Sequence, residues 1–92
     1  MSVYVDKALN RYGRMFMSHM VADTLDELHA MADTIGIQRR WFQANASTPH
    51  YDVCQTKKAM AIAYGAIELD RAPYVEVIRR LRKAAAGSLT NG

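Results

Sequence analysis

Four short stretches of this 92-residue chain carry groups able to do chemistry: Asp6 at the end of Val3-Tyr4-Val5, Ser18-His19 entering a second apolar run, Gln43 after Trp41-Phe42, and His50-Tyr51-Asp52 ahead of a helix. Two imidazoles, two carboxylates, an amide and a phenol are costly to bury unpaired, so their placement beside apolar runs points to a polar ligand pocket. His50-Tyr51-Asp52 before a helix carrying Lys57 and Lys58 is readily turned into an anion site. Free amides and partial positive charge at the helix start favour phosphate, and an imidazolium or lysine adds charge-assisted bonds. Against that stands the commoner use of Asp as a helix cap, with Tyr51 a core residue.

His19 and His50 form an acid and base pair for a phosphodiester, without metal, if both rings face one cleft. With Asp6 and Asp52 the same pair offers ligands to a divalent ion. These residues lie far apart in sequence, so spacing decides neither, and ligand binding ranks ahead of catalysis and catalysis ahead of metal. No metal and no cofactor is assigned. Trp41 or Tyr51 offers a stacking face for a base, with Arg39 or Arg40 near its phosphates, although core filling is the default for aromatic rings. His29, on the flank of an apolar helical stripe, divides between pocket, packing and surface roles.

The elements that must position these groups follow from pattern. Val3-Tyr4-Val5 is β-branched and aromatic, a strand that delivers Asp6 at its carboxyl end, where open α/β sheets place ligands. Lys7 to Phe16 lacks either period and reads as a loop, and Met17 to Ala22 reads as a strand with His19 and Val21 on one face and Ser18 and Met20 on the other. Thr24 to Glu27 is a capping box; the helix after it repeats Leu25, Leu28, Ala32 and Ile35 and stops at Gly36. Asp23 beside the cap reads as a helix-start carboxylate.

Ile37 to Gln43 fits a short helical turn or a strand, and Ala44 to Pro49 a polar loop. A second helix is expected over Gln55 to Tyr64, a short strand at Ile67-Glu68-Leu69, and a third helix with Pro73 near its start, Tyr74, Ile78, Leu81 and Ala85 inward and Glu76 pairing with Arg79 and Arg80 outside. Helices alternating with strands predict a single small α/β domain over residues 1–86, with a three- or four-stranded sheet, three helices and some parallel pairing, and a flexible tail over 87–92.

Ninety-two residues, half of them hydrophobic, suffice for one modest core. A net charge of only +3 favours a small anionic ligand at a local site over a long nucleic-acid backbone, which calls for a broad basic stripe. Arg79, Arg80, Arg82 and Lys83 fit a solvated helix face. The lone Cys54 excludes an internal disulfide, and no finger spacing marks structural zinc. With no leader pattern ahead of Val3 and no apolar run near the roughly 18 residues of a membrane span, a cytoplasmic protein without membrane contact is expected.

The segments Val3-Tyr4-Val5-Asp6, Ser18-His19, Ala22-Asp23-Thr24, Glu27-Leu28-His29, Gly36, Arg40-Trp41-Phe42-Gln43, His50-Tyr51-Asp52-Val53, Lys57 and Gly65-Ala66 together resemble one family, the small bacterial and phage proteins called domain of unknown function 4031. The resemblance runs from Val3 to about Ile78 and implies a bacterial or phage cytoplasmic protein that shares Asp6, His19, Gln43 and His50 to Asp52. Met17 stands where the pattern has a tryptophan, which removes a stacking wall there. Cys54 stands where a Ser or Thr would cap the second helix, leaving that role to Asp52.

Three functions follow as expectations. The first is binding of a small phosphate-bearing ligand, a nucleotide or nucleotide-derived signal, by Asp6, His19, Arg40, Trp41, Gln43, His50, Tyr51, Asp52 and Lys57, sequestering it in a phage setting. The second is a small phosphodiesterase using His19 and His50. The third is a non-catalytic interaction module in which the methionines and the basic helix form a partner or homo-oligomer surface.

Overall fold

The apolar run from Met17 to Ala22 belongs to a strand that begins two residues earlier, at Met15, and that strand organises the molecule. In the computed structural model, which describes residues 2–91 and their side chains as far as Ala85, the chain runs β1 (Val3–Val5), β2 (Asn10–Tyr12), β3 (Met15–Ala22), α1 (Leu25–Ile35), a 3-10 turn (Arg39–Trp41), β4 (Tyr51–Cys54), α2 (Gln55–Ala63), β5 (Ile67–Glu68) and α3 (Arg71–Asn91). The tail expected over 87–92 lies outside the fully described residues. The expected α/β class and three helices are present, with five strands in one mixed sheet.

Strand β3 pairs antiparallel with β1 and β2 and with β4, while β5 adds to β1 in parallel. The expected loop over Lys7 to Phe16 holds for Lys7 to Leu9, but from Asn10 on it is a hairpin that turns at Gly13, whose φ of 60° is the left-handed conformation glycine accommodates. Alternation is missing there because Asn10, Arg11 and Tyr12 are exposed, so no buried face writes a period into the sequence. Between the pairs Val5–Met20 and Asn10–Met17 one side advances five residues and the other three, so the chain bulges after Asp6. The buried Ser18 hydroxyl pins the bulge by donating to the Ala8 carbonyl at 2.6 Å.

One face of the sheet presents Val3, Val5, Met20, Ala22, Tyr51 and Val53 to Leu28, Ala32 and Ile35 of α1 and Ala61 of α2, and this is the core. Leu25, expected on the inner stripe, is exposed. Thr24 caps α1, accepting from the Glu27 amide at 3.2 Å while its hydroxyl donates to the Glu27 carboxylate at 2.9 Å. Gly36 closes the helix at φ 80°, and the Lys57 ammonium donates to the Ile35 carbonyl at 2.7 Å. The other face of the sheet is partly covered by α3, through Tyr74 and Ile78.

Two polar anchors hold α3 there. Arg80 donates to Asp23 at 2.9 Å and to the Tyr4 hydroxyl at 3.1 Å, and Arg82 reaches Thr48 and Ser47 at 2.9 and 2.8 Å. The basic run is therefore not wholly a solvated face, and Arg80 pairs with Asp23 rather than Glu76, which takes Arg79 alone. Asp23 is more than a helix-start charge: burial pushes its carboxyl up, but Arg80, the Ser2 amide and Tyr4 together hold it below the usual range. Among the described residues no helix is long and apolar enough to cross a membrane.

Candidate functional site

The site follows from strand register. Successive residues of a strand point to opposite faces, so His50 and Asp52, two apart in and beside β4, share a face while Tyr51 and Val53 go to the core. β3 places His19 directly opposite Asp52. On its other side the Asp6 amide donates to the His19 carbonyl at 3.2 Å, so Asp6 is the next neighbour across. Asp6, His19 and Asp52 therefore form a row over three strands, with His50 one pleat along and braced by a bridge to Gln43.

Where β1 leaves the ladder, the Asp6 carboxylate takes the place of a main-chain carbonyl. Its Oδ1 accepts from the His19 amide at 2.9 Å and the Ala8 amide at 3.3 Å, and its Oδ2 lies 2.7 Å from His19 Nδ1. The Asp6 carbonyl so released accepts from the buried Lys58 ammonium at 3.3 Å, which also pairs with Glu68 at 3.1 Å. Burial pushes the Asp6 carboxyl up, yet the hydrogen bonds and charge of His19 and the Ala8 amide bring it below its ordinary value. The Asp6 hydrogen bond raises His19, burial opposes it, and the charges of Asp6 and Asp52 add to the rise.

The second imidazole is held in a similar way. His50 Nδ1 lies 2.9 Å from the Thr48 carbonyl and, as the only possible donor of that pair, gives its proton there. The Nε2 atoms of both rings then face Asp52 Oδ1, at 3.3 Å from His50 and 3.9 Å from His19, with the rings edge to face at 5.3 Å between centroids. The Asn10 amide stands 3.4 Å from His19 Nε2 and can donate to its lone pair.

The pair lies between two hollows. A cleft of about 600 Å³ opens between the β2–β3 hairpin, the segment from Gly36 to Gln43 and the start of α2; Trp41, Tyr12, Met15 and Met17 supply its apolar surface, and His19, Asp52, Gln43, Arg11 and Lys57 its polar groups. A smaller hollow of about 240 Å³, lined by His19, His50, Thr48, Tyr74 and Arg82, lies under α3.

A family model described as "Protein of unknown function (DUF4031)" matches residues 3–84. The chain belongs to this family. No curated protein and no solved structure matches it. The family match covers every residue of the Asp6, His19, His50 and Asp52 row, so the site lies within the shared part of the chain.

Asp6, His19, His50 and Asp52 are brought together, and Trp41, Gln43 and Lys57 line the adjoining cleft. Arg40 lies on the exposed 3-10 turn with its guanidinium 5.2 Å from the Trp41 ring and does not line either hollow. Tyr51 is fully buried in the core and its hydroxyl meets His29 Nδ1 at 2.7 Å, which places both on the far side of the sheet from Asp52. Burial raises the Tyr51 hydroxyl above its ordinary pKa. Asp52 does not cap α2; Cys54 holds that position without a side-chain bond, because Tyr51–Cys54 is a strand that aims Asp52 at the histidines. Tyr12, Met15, Asn10, Tyr74 and Arg82 were not expected at the site. Only Tyr12 carried a signal, an aromatic residue beside Gly13 with no core stripe to join.

Proposed function

We propose that this protein binds a small phosphate-bearing ligand of nucleotide size in the larger cleft, with the ligand's ring on Trp41 and Tyr12 and its phosphate toward Lys57, Arg11 and the start of α2. The observation that carries this reading is the composition of one cleft of about 600 Å³, within the ordinary range of small-molecule sites, which combines exposed aromatic faces with cations and an uncapped helix start. Lys57 spends one donor on the Ile35 carbonyl and keeps two for a ligand. The amides of the first turn of α2 have no side-chain acceptor at Cys54, and they supply the dipole-aligned donors that an anion needs. In the bacterial or phage setting that the resemblance implies, we read this binding as sequestration, since holding a nucleotide signal removes it from its receptors.

The test is a melting scan against a panel of nucleotides and cyclic nucleotides, followed by denaturation and analysis of the released species. A ligand present at about 100 times its Kd stabilises by about 2.7 kcal/mol, which for a domain of this size raises Tm by roughly 10–20 °C. Intact ligand on release supports binding; altered ligand turns the reading into a hydrolase centred on His19 and His50. If no member of the panel raises Tm, the reading falls. The exposed Leu9, just before the hairpin, and Tyr12 and Phe16 on it are then the surface to test for self-association by light scattering.

A further inference from the structure

We propose that His19, His50 and Asp52 form a binding site for one divalent first-row transition metal ion. One ligand atom from each of the three residues lies within 4.8 Å of the other two. In a tetrahedral site with metal–ligand bonds of about 2.1 Å the ligand atoms stand about 3.4 Å apart. The His50 Nε2 to Asp52 Oδ1 separation of 3.3 Å already meets this, and the 3.9 Å from His19 Nε2 needs only a small side-chain rotation.

The stronger argument lies behind the ligands. A metal-binding histidine gives its other ring proton to a carboxylate or a main-chain carbonyl, which fixes the tautomer and aims the free lone pair at the ion. Both histidines are set in this way, His19 on the Asp6 carboxylate at 2.7 Å and His50 on the Thr48 carbonyl at 2.9 Å. Among the described residues no lysine or arginine pairs with Asp52, and the row holds two carboxylates whose charge a divalent ion would offset. The Tyr74 hydroxyl, on a residue that lines the small hollow beside the pair, is buried with no hydrogen-bond partner among the described residues.

Two imidazoles and one carboxylate select zinc, iron, cobalt or nickel over magnesium and calcium, which take oxygen donors. Three protein ligands leave coordination positions open toward the cleft. An ion on both Nε2 atoms also takes away the free imidazoles on which metal-free acid and base catalysis depends. The inference stands on the geometry of these residues and does not rest on nucleotide binding.

The experiment uses the untagged full chain, stripped with EDTA and dialysed, titrated calorimetrically with Zn²⁺ and Mg²⁺ and by visible absorption with Co²⁺. One Zn²⁺ or Co²⁺ per chain is expected, with a cobalt spectrum showing mixed nitrogen and oxygen coordination and no comparable uptake of Mg²⁺. His50→Gln and Asp52→Asn each weaken Zn²⁺ binding at least 100-fold. Asp6→Asn, which removes only the support behind His19, weakens it roughly 10- to 100-fold. His29→Gln, on the opposite face of the sheet, leaves it unchanged. Circular dichroism confirms folding, and Asp52, 42% exposed, tolerates Asn without a packing defect. No stoichiometric uptake of Zn²⁺ or Co²⁺, or uptake unaffected in both His50→Gln and Asp52→Asn, overturns the proposal. Nucleotide melting scans with EDTA present report on the ligand cleft separately, so either reading can fail alone.

Discussion

Replacing Asp6 by Asn isolates the interaction that orients His19. The asparagine Oδ1 keeps the two main-chain bonds, from His19 at 2.9 Å and Ala8 at 3.3 Å, so what changes is the 2.7 Å contact between Oδ2 and His19 Nδ1. An amide nitrogen there faces a ring nitrogen that must give up its proton and become an acceptor. The loss is one charge-assisted hydrogen bond between partly buried groups, about 1.5–3 kcal/mol. Its pH dependence carries a definite sign. The folded pKa of Asp6 is lowered, so its contribution is complete above the unfolded value near 3.8 and is lost as pH falls through the folded value. The folded pKa of His19 is raised, so its contribution is complete below the unfolded value of 6.5 and is lost as pH rises through the folded value. The stability gap between the natural protein and Asp6→Asn, measured by urea unfolding in EDTA, is therefore widest between about pH 4 and 6.5 and narrows on both sides. On the alkaline side it does not vanish, because the neutral ring still donates Nδ1–H to the carboxylate. A gap that is constant from pH 4 to 9 would refute the coupling of these two groups.

Three further outcomes are expected. Tyr51→Phe removes the 2.7 Å bond to His29 and lowers unfolding free energy by about 1 kcal/mol, while nucleotide affinity stays the same; reduced affinity by calorimetry would contradict its placement across the sheet from the cleft. Trp41→Ala leaves Tm within a degree or two, since that ring is half exposed, but weakens a stacked nucleotide by about 1–3 kcal/mol, roughly 5- to 150-fold in Kd. Gly36→Ala forces a side chain into a φ of 80° with its Cβ 3.2 Å from the Lys57 ammonium, destabilising by about 1–2 kcal/mol in urea melts; a neutral result would show that α1 ends differently.

The local signals in the chain were strong where one residue type has one physical use. Thr24 to Glu27 and Gly36 marked the two ends of α1 because caps act within a turn of the residues they serve. Val3-Tyr4-Val5 and Asp6 were legible for the same reason, as a strand and the charged group at its end. The hairpin at Asn10–Tyr12 and the strand at Tyr51–Cys54 were not, one being wholly exposed and the other only four residues long against a helix start. Tyr74 was legible as a core residue on a helical stripe, whereas its missing hydrogen-bond partner is a property of what surrounds it.

The sequence alone determines residue types and local limits: which residues are titratable, where α1 begins and ends, and that polar groups interrupt apolar strands. Which of those groups meet was decided only by the tertiary structure. Asp6 at the end of β1, His19 in β3 and Asp52 in β4 have partners distant in the chain, and a slip of one residue between β3 and β4 would send Asp52 to the core side and bring Tyr51 out in its place. That register is fixed by the burial of Val5, Met20, Tyr51 and Val53 against α1 and α2, a long-range packing requirement that no short stretch of sequence expresses.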